Sequence, residues 1–545
     1  MRPTVENRVP VLVVGGSLVG LSASLFLGRL GVRHMLVEKH SDTSRHPRGR
    51  GNNVRTMELF RVAGAEERIR EAASILAKNH GILEARSLTG NDQKWLFKEI
   101  DPRGELDRIS PTAWCLCSQN DLEPVLVRCA RELDGDLRFS TELSSFEQDK
   151  WGVRATLRDR QTGEFTTVYA DYLIAADGPR SPVREQLGIG QTGPGDLFHN
   201  VSITFRAPQL ADVVGERRFI ACYLTGPEAE GALLPVDNRA EWVFHAPWNP
   251  DKGEVLEDFT DARCVDHIRR ATGVAELAVE ITGKAPWHAA ERVAERYAAG
   301  RIFLAGDAAH EMSPTGAFGS NTGIQDAHNL AWKLAAVLNG SAGPGLLATY
   351  EAERQLVARE TSARASARAA EHSHPGYVPA ASGGSGGRQR GVLTVALGYC
   401  YPEGAVIGAD PALPVVPDRM RLTGEPGTRA PHMWVRTDGE RRSTLDLYEK
   451  SFVLLTGSEG EMWRTAVKVA TEQFSLTLNC YLVGTAPNDD LVPEDGLDWA
   501  ERHGTTPEGA VLVRPDGFVA WRAQSRVDDP TSTLQKVLET LLCRG

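Results

Sequence analysis

Residues 9–28 form a run of twenty residues without a charged side chain, VPVLVVGGSLVGLSASLFLG. By length alone, such a run could cross a membrane as a single helix. The residue order indicates otherwise, because valines dominate residues 9–14, glycines follow at 15, 16 and 20, and small or apolar residues continue to Leu30. A valine-rich run is typical of a buried parallel strand, and glycine permits a tight turn. We therefore predict a strand, a glycine turn and a helix.

The next segment completes a dinucleotide-binding pattern. A second apolar strand is predicted over residues 33–37, and it ends at Glu38, 18 residues after Gly20. In βαβ units of this kind the helix N-terminus faces a pyrophosphate and the acid accepts hydrogen bonds from a ribose. The pattern Gly-x-Gly-x-x-Gly would place glycines at 15, 17 and 20, but position 17 is serine. Taken alone, the unit could still be a hydrophobic strand and helix without a ligand.

The composition limits the classes of function. The chain has 545 residues and a formal net charge of −11, from 61 Lys and Arg against 72 Asp and Glu. This charge disfavours a nucleic-acid binder. The hydrophobic and charged fractions, 41% and 24%, are ordinary for a soluble globular protein of about three or four domains. The eight cysteines have neither Cys-x-x-Cys nor zinc-finger spacing. We therefore expect no disulfide scaffold, no metal site, no membrane association and a reducing, cytoplasmic location.

A second motif, ADYLIAADGPRSPVREQLGI, covers residues 170–189. Asp177 and Gly178 follow a predicted strand, at the position where α/β folds hold their ligands. An Asp-Gly turn before a solvated basic helix would explain the segment equally well.

A third motif covers residues 300–340. A predicted strand at 302–305 is followed by Gly306 and Asp307, and a loop at 313–323 rich in glycine, serine and threonine leads into a long amphipathic helix. A glycine-dense loop before a helix N-terminus suits an anionic or electron-rich ligand.

The three motifs, in this order and at these separations, resemble the FAD-binding fold of class A flavin-dependent aromatic hydroxylases, which include para-hydroxybenzoate hydroxylase and phenol hydroxylase. The run GDAAH…SPTGAFGSNTGIQDAHNLAWKLA carries most of the resemblance, which covers about residues 8–372. The loop at 318–321 and the chain length look most like the actinomycete aromatic-polyketide hydroxylases of the aklavinone and tetracenomycin type.

The resemblance implies an α/β architecture with an inserted β-sheet domain. The C-terminal pattern of strand, helix, strand, hairpin and helix resembles the thioredoxin-like domain of phenol hydroxylase relatives, but it has no Cys-x-x-Cys, so we expect a role in stability or oligomerisation. The Gly- and Ser-rich segment 382–387 is either a native loop or an engineered linker. The implied boundaries are 1–189 with 291–372 for a Rossmann-like FAD-binding domain, 190–290 for the substrate-binding sheet, 373–427 for a linker and 428–545 for the thioredoxin-like domain.

The family pattern also implies which residues contact FAD. They would lie at the pyrophosphate, the adenosine ribose, the ribityl chain and the flavin N1/O2 edge. Among the arginines of residues 45–61, Arg48 is carried over as the contact, and a solvated basic loop would account for Arg45 and Arg50. The implied cofactor-binding residues are Gly15, Ser17, Gly20, Glu38, Lys39, Arg48, Gln119, Asp177, Gly306, Asp307, Pro314, Gly319, Ser320, Asn321 and Thr322.

By the same resemblance, NADPH or NADH reduces FAD, O2 adds to give a C4a-hydroperoxide, and its distal oxygen hydroxylates a phenolic polyketide. Pro314 would face the carbon that reacts with oxygen. Baeyer–Villiger oxidation, epoxidation, dearomatisation and a flavin oxidoreductase without oxygenation remain alternatives. The family permits a homodimer.

The middle region is predicted to supply the substrate sheet. Strict alternation along residues 218–224 places Phe219, Ala221 and Tyr223 on one face. Tyr223 is our candidate for a polar catalytic group near the substrate, although a packed tyrosine with a solvated hydroxyl is the commoner situation.

Overall fold

The computed structural model describes residues 7–371, apart from 102 and 228, and residues 391–544, apart from 495. The Gly- and Ser-rich segment 382–387 lies outside the described residues. Within the described part of the chain, no helix combines the length and the apolar character that crossing a membrane requires.

The described chain alternates short strands with helices. The strands are β1 (Arg8–Val14), β2 (His34–Val37), β3 (Gly51–Asn52), β4 (Gly81–Ala85), β5 (Lys94–Phe97), β6 (Cys115–Leu116), β7 (Asp136–Arg138), β8 (Thr141–Gln148), β9 (Val153–Asp159), β10 (Phe165–Ala175), β11 (Gln191–Arg206), β12 (Phe219–Leu224), β13 (Gly231–Pro235), β14 (Glu241–Trp248), β15 (Glu280–Ala294), β16 (Ala298–Ala299), β17 (Ile302–Leu304), β18 (His310–Glu311), β19 (Trp434–Thr437), β20 (Glu440–Ser443), β21 (Phe452–Gly457), β22 (Leu478–Val483), β23 (Val492–Pro493), β24 (Ala510–Val513) and β25 (Val519–Ala523). The α-helices are α1 (Leu18–Arg29), α2 (Val54–Val62), α3 (Glu66–Ala72), α4 (Gln119–Glu132), α5 (Pro182–Gln186), α6 (Gln209–Val214), α7 (Asp261–Thr272), α8 (Phe318–Leu338), α9 (Ala348–Glu371), α10 (Val392–Leu397), α11 (Met462–Phe474), α12 (Trp499–His503) and α13 (Pro530–Leu541).

The first sheet has the strand order β16-β17-β10-β1-β2-β7; β9 also pairs with β10, and β8 pairs with β9. Strand β1 pairs in parallel with both β2 and β10, and β10 pairs in parallel with β17. The uncharged run 9–28 forms the central strand β1, the turn and helix α1, and most of its side chains are buried. Its apolar character therefore serves the core of a doubly wound layer, as predicted.

The second sheet has the order β18-β15-β11-β14-β13-β12-β4-β5. It is wider than the range 190–290, because β4, β5 and β18 come from sequence outside it. Strand β4 joins through parallel pairing with β12, a non-local contact that no local pattern announces. Helix α7 covers one face, where Cys264 and Ile268 belong to the same apolar core as Val201 and Phe244.

Strict alternation along β12 was wrong for its first two residues, Phe219 and Ile220. The register between β12 and β4 shifts between Phe219 and Ala221. Phe219 consequently packs in the core under α7 with Cys222, while Ala221 and Tyr223 form a separate apolar patch. An irregularity of one residue turns every side chain on one side of it to the opposite face.

The C-terminal sheet has the order β22-β21-β24-β25. Strands β21 and β22 are parallel, and β24 is antiparallel to both β21 and β25. With α11 between the first two strands and α13 closing the unit, this is the predicted thioredoxin-like topology. Both of its cysteines, Cys480 and Cys543, are free thiols.

A buried cluster of charges joins the C-terminal sheet to helices α8 and α9. Glu353 of α9 accepts hydrogen bonds from Lys333 Nζ at 2.8 Å and from Arg514 Nη1 and Nη2 at 2.7 and 2.8 Å. Arg514 also donates from Nε to Asp516 Oδ1 at 2.9 Å, and Asn329 donates to both carboxylates. The side chains of Glu353, Lys333 and Arg514 have no solvent-exposed surface. Because every charge has partners, the cluster is tolerated in the interior, whereas a missing member would strand the rest.

We predict that Glu353→Gln destabilises the protein by about 3–5 kcal/mol, because two buried cations, Lys333 and Arg514, would then share the single carboxylate of Asp516. Urea unfolding followed by tryptophan fluorescence measures this loss. The matched control is Glu440→Gln, in the exposed pair with Arg442, for which we expect a urea midpoint close to that of the wild type. Equal urea midpoints for Glu353→Gln and the wild type would contradict the prediction.

We also expect acid to weaken the fold through its buried and paired carboxylates, of which Glu353 of α9 and Glu58 of α2 are two. Burial opposes the ionisation of Glu353 and Glu58, but Arg514 with Lys333, and Arg429 with Arg55, hold the pKa of each carboxyl below its usual value. A carboxyl whose pKa is lower in the folded state contributes stability above its unfolded pKa, and that stability is lost as the pH falls through the folded pKa. The urea midpoint should therefore stay constant from about pH 7 to 5 and decline below that. The decline should be shallower in Glu353→Gln, and a midpoint that does not change down to about pH 3 would argue against the idea.

Candidate active site

The first and third sequence motifs meet where α1, the turn after β17 and α8 come together. A Cβ atom added to Gly306 would lie 2.7 Å from Val19 Cγ2 on the first turn of α1. A Cβ atom added to Gly323 of α8 would lie 2.6 Å from the same methyl group and 2.8 Å from Gly306 Cα. Glycine at both positions lets the two helices and the turn approach closely.

The glycine turn before α1 tolerates no side chain at two positions. Gly15 has a φ of +107°, and a Cβ atom there would collide with the carbonyl group of Ala176. A Cβ atom at Gly20 would collide with the Gly15 carbonyl oxygen. The first amides of α1 have no acceptor within the helix, so this helix end can receive an anionic group such as a pyrophosphate.

Ser17, the irregular position in the glycine pattern, is the N-cap of α1 and is exposed. Its backbone is extended, with φ of −97° and ψ of −167°, a conformation open to any residue. Ser17 Oγ donates to Glu123 Oε1 at 2.6 Å and accepts from Gln119 Nε2 at 2.9 Å. The serine therefore fits without strain and connects α1 to the predicted site residue Gln119 at the start of α4.

Glu38 follows β2 and lies beside the glycine turn. We call the region bordered by this turn, the Gly306 turn and the start of α8 the cleft. Its Oε2 accepts from the Gly16 amide at 2.6 Å, and its Oε1 accepts from the His40 amide at 2.8 Å. Each carboxylate oxygen can accept a further hydrogen bond, so Glu38 can hold a ribose hydroxyl. Lys39 is exposed, and its carbonyl oxygen accepts from Arg160 Nη1 at 3.0 Å.

Asp307 lies in the turn after β17 and is open to solvent. The surrounding protein raises the pKa of this carboxyl, while His310 and Arg48 act in the opposite direction. Arg48 is exposed as well. Because its charge acts to lower the pKa of Asp307, the two side chains lie close enough to interact. A carboxylate in this position can accept hydrogen bonds from sugar hydroxyls.

A fully buried carboxylate, Asp326 of α8, supports the turn from behind. Its Oδ2 accepts from the Gly306 amide at 3.2 Å and from His310 Nε2 at 2.7 Å, and its Oδ1 accepts from Arg354 Nε at 2.8 Å. Arg354 also donates to the Thr322 carbonyl at 3.3 Å. Burial opposes the ionisation of Asp326, but His310 and Arg354 hold its pKa below the usual value. Our sequence analysis did not single out these supporting residues.

The glycine-rich segment after Pro314 differs from the prediction of a loop through residue 323. Helix α8 begins at Phe318, directly after Ala317, which has a φ of +54°. Gly319, Ser320, Asn321 and Thr322 therefore lie in the first turns of the helix. The amide at Ala317 closes a turn onto the Pro314 carbonyl at 3.0 Å. A left-handed residue at this point lets the chain turn directly into the helix, whose first amides have no acceptor within the helix.

Asn321 fastens this helix end to the arginine-containing loop. Its Nδ2 donates to the carbonyl oxygens of Gly51 and Ala317 at 2.7 and 2.5 Å, and its Oδ1 accepts from the Asn53 amide at 2.8 Å. Thr322 Oγ1 donates to the Phe318 carbonyl at 2.9 Å. Asn321 is buried, so its predicted role extends to holding two segments of the cleft together.

Asp177 lies next to the glycine turn, since Ala176 contacts Gly15. Its Oδ2 accepts from the Val183 amide at 3.2 Å, whereas its Oδ1 is buried and has no partner among the described residues. Burial raises the pKa of this carboxyl. A buried oxygen without a partner is costly, and a ligand hydroxyl or amide would satisfy it.

Tyr223 is buried in the second sheet, in the patch it shares with Ala221 and Ala232. Burial raises its pKa to about 12, and Arg368 opposes that shift. The phenol is therefore neutral at physiological pH and can donate a hydrogen bond. Its ring packs in this apolar patch, and 5% of its surface is exposed.

The comparisons with known proteins agree with this arrangement. A family model described as FAD binding domain matches residues 8–365, and one described as aromatic-ring hydroxylase, C-terminal, matches residues 423–544. A putative polyketide hydroxylase of Streptomyces halstedii is 67% identical over 544 residues, which cover 99% of this chain and 98% of that protein. The tetracenomycin A2 monooxygenase-dioxygenase of Streptomyces glaucescens is 41% identical over 560 residues, with coverages of 99% and 97%.

Among solved structures, aklavinone-11 hydroxylase in complex with FAD and aklavinone superposes with a TM-score of 0.90 at 37% identity, covering 99% of this chain and 100% of that one. The match thus extends over the cleft, the second sheet and the C-terminal unit. The chain belongs to the FAD-dependent aromatic-ring hydroxylases.

Proposed function

We propose that this enzyme hydroxylates a phenolic aromatic polyketide, with NADPH or NADH as the reductant and O2 as the oxidant. The observation that carries the proposal is the meeting of α1, the Gly306 turn and α8 at one cleft, in a chain 67% identical to a putative polyketide hydroxylase. FAD, when bound, supplies the transfer of electrons from the nicotinamide and the activation of O2.

The cleft offers groups that fit FAD. The unpartnered Oδ1 of Asp177 and the first amides of α1 and α8 require acceptors or donors that a bound dinucleotide can provide. We assign the pyrophosphate to the turn from Gly15 to Gly20 and the adenosine ribose to Glu38. Lys39, Arg48 and Gln119 would border this part, and Asp307 would hold the ribityl hydroxyls.

The N-terminus of α8 would lie against the flavin ring. Gly319, Ser320, Asn321 and Thr322 bring the positive end of a 21-residue helix there, which favours negative charge on the group it faces. Pro314 would face the reacting carbon. The buried sheet face with Tyr223 would exclude water and hold a flat aromatic ring, and the neutral Tyr223 hydroxyl would donate to a substrate oxygen.

We expect the purified flavoprotein to oxidise NADPH and consume O2 faster when a phenolic polycyclic aromatic is added. The product should gain one oxygen atom, traced from isotopically heavy O2 by mass spectrometry. Retention of the aromatic skeleton supports hydroxylation, whereas ring expansion or an epoxide assigns one of the other oxygen insertions. O2 uptake that no phenolic polyketide in a broad panel stimulates would refute the proposal.

We predict that Asp326→Asn weakens the equilibrium binding of FAD by about tenfold, because the Gly306 turn loses its charged support. Quenching of FAD fluorescence measures the affinity without recourse to turnover. Asp326→Glu keeps the charge and should recover part of the affinity. The control is Asp136→Asn, in a surface pair with Arg138, which should bind FAD as the wild type does. Unchanged affinity in Asp326→Asn would show that the cofactor turn does not depend on it.

A further inference from the structure

Arg50 is buried at the seam between the FAD cleft and the second sheet. It directly precedes β3, and its residual exposure is 6%, whereas its neighbours Arg45 and Arg48 are exposed. The expectation of a solvated basic loop is therefore wrong for Arg50. The guanidinium reaches across the seam, because Nη1 donates to the carbonyl oxygen of Pro235 at the end of β13.

The other donors of this guanidinium have no partner among the residues that the structure describes. Nε and Nη2 are buried and make no hydrogen bond to any described residue. Asp121 attracts the cation electrostatically but does not satisfy these atoms. Burial lowers the pKa of Arg50 to about 10, which still leaves it charged at neutral pH. A buried charge with two unused donors is costly unless a further acceptor binds them.

The unused atoms form one edge of the guanidinium, the edge that offers two parallel N–H groups. The same edge of Arg29 binds the two carboxylate oxygens of Glu449, with both distances at 2.8 Å. The same edge of Arg61 binds Asp446 at 2.8 and 3.0 Å. In this chain, therefore, the Nε and Nη2 edge pairs with two oxygens side by side, and at Arg50 that pair is missing.

The position of Arg50 points to the substrate rather than to FAD. On the FAD side, the carbonyl of the next residue, Gly51, is already bound by Asn321. On the sheet side, Leu234, next to Pro235, packs against the patch that contains Tyr223. Nearby, His46 Nε2 and Ser202 Oγ lie 2.8 Å apart across the same seam. A ring held on this sheet would present its edge to the free side of Arg50.

We propose that Arg50 determines specificity by binding two adjacent oxygens of the substrate, a ring carbonyl and the peri hydroxyl of the fused aromatic ring. This rests on the proposed function, and it narrows the substrate class to polycyclic aromatics that carry such a hydroxyl–carbonyl edge. The guanidinium supplies two donors to that edge, and the hydroxyl can bind as the phenol or as the phenolate.

The test uses two isomers that differ only in the position of one hydroxyl. In 1-hydroxyanthraquinone the hydroxyl lies beside a carbonyl, and in 2-hydroxyanthraquinone it does not. Binding to the oxidised FAD-loaded enzyme is titrated through the flavin absorbance. We expect the wild type to prefer the 1-isomer by about tenfold or more, and Arg50→Met to abolish that preference. Arg50→Lys should retain only part of it, because an ammonium group lacks the planar edge.

Three controls keep the result specific. Arg45→Met removes an exposed arginine of the same loop and should keep the isomer preference. FAD affinity should be unchanged in Arg50→Met, and its thermal midpoint should be unchanged or raised, since the variant removes an unsatisfied buried charge. An unaltered isomer preference in Arg50→Met would overturn this inference and leave the proposed function unaffected. Weakened FAD binding, with both isomers affected equally, would assign Arg50 to the cofactor or the fold and also overturn it. If the wild type bound neither isomer and its O2 uptake were not stimulated, the proposed function itself would be refuted.

Discussion

One buried carboxylate, that of Asp326, holds the geometry of the cleft. It accepts from the Gly306 amide, from His310 and from Arg354, three donors that belong to different elements. Through Arg354 it also reaches the Thr322 carbonyl in the first turns of α8. An ionised carboxylate without exposed surface persists only when its charge is fully matched. The turn after β17 and the start of α8 are therefore fixed relative to each other, whichever ligand they receive.

The C-terminal unit extends this principle to the rear of α8. Its topology is thioredoxin-like, yet what it brings to the rest of the molecule is charge and packing. Arg514 and Asp516 complete the partners of Glu353 and Asn329, and Arg429 pairs with the buried Glu58 of α2. The unit therefore supplies part of the hydrogen bonds and countercharges that the buried polar groups of α8, α9 and α2 require.

The sequence allowed the cleft to be predicted because its glycine turns and strand ends are local features. Gly15, Gly20 and Gly306 lie where the motifs place them, and the C-terminal order of strands and helices agrees as well. Close approach of backbone atoms explains why glycine occupies these positions, and that requirement leaves its trace in short windows of sequence.

What could not be predicted depends on residues distant in the chain. Asp326 and Arg354 lie on separate helices, and no spacing rule connects them. Phe219 left its predicted face because of a register shift against β4, a strand from far upstream. Arg50 resembles its exposed neighbours in sequence and differs only in having a sheet folded over it. Such features appear only when non-adjacent strands and helices have been brought together.

The shared satisfaction of Glu353 has a consequence for how such chains can diverge. Five hydrogen bonds from three segments converge on this carboxylate: one each from Asn329 and Lys333 of α8, two from Arg514 and one from the Ala405 amide. No member can change its charge unless another changes with it. A chimera that exchanges the C-terminal unit between relatives would fold stably only if residues 329, 333 and 353 were exchanged together with it. The set of residues that must be exchanged together therefore differs from any single continuous segment of the chain.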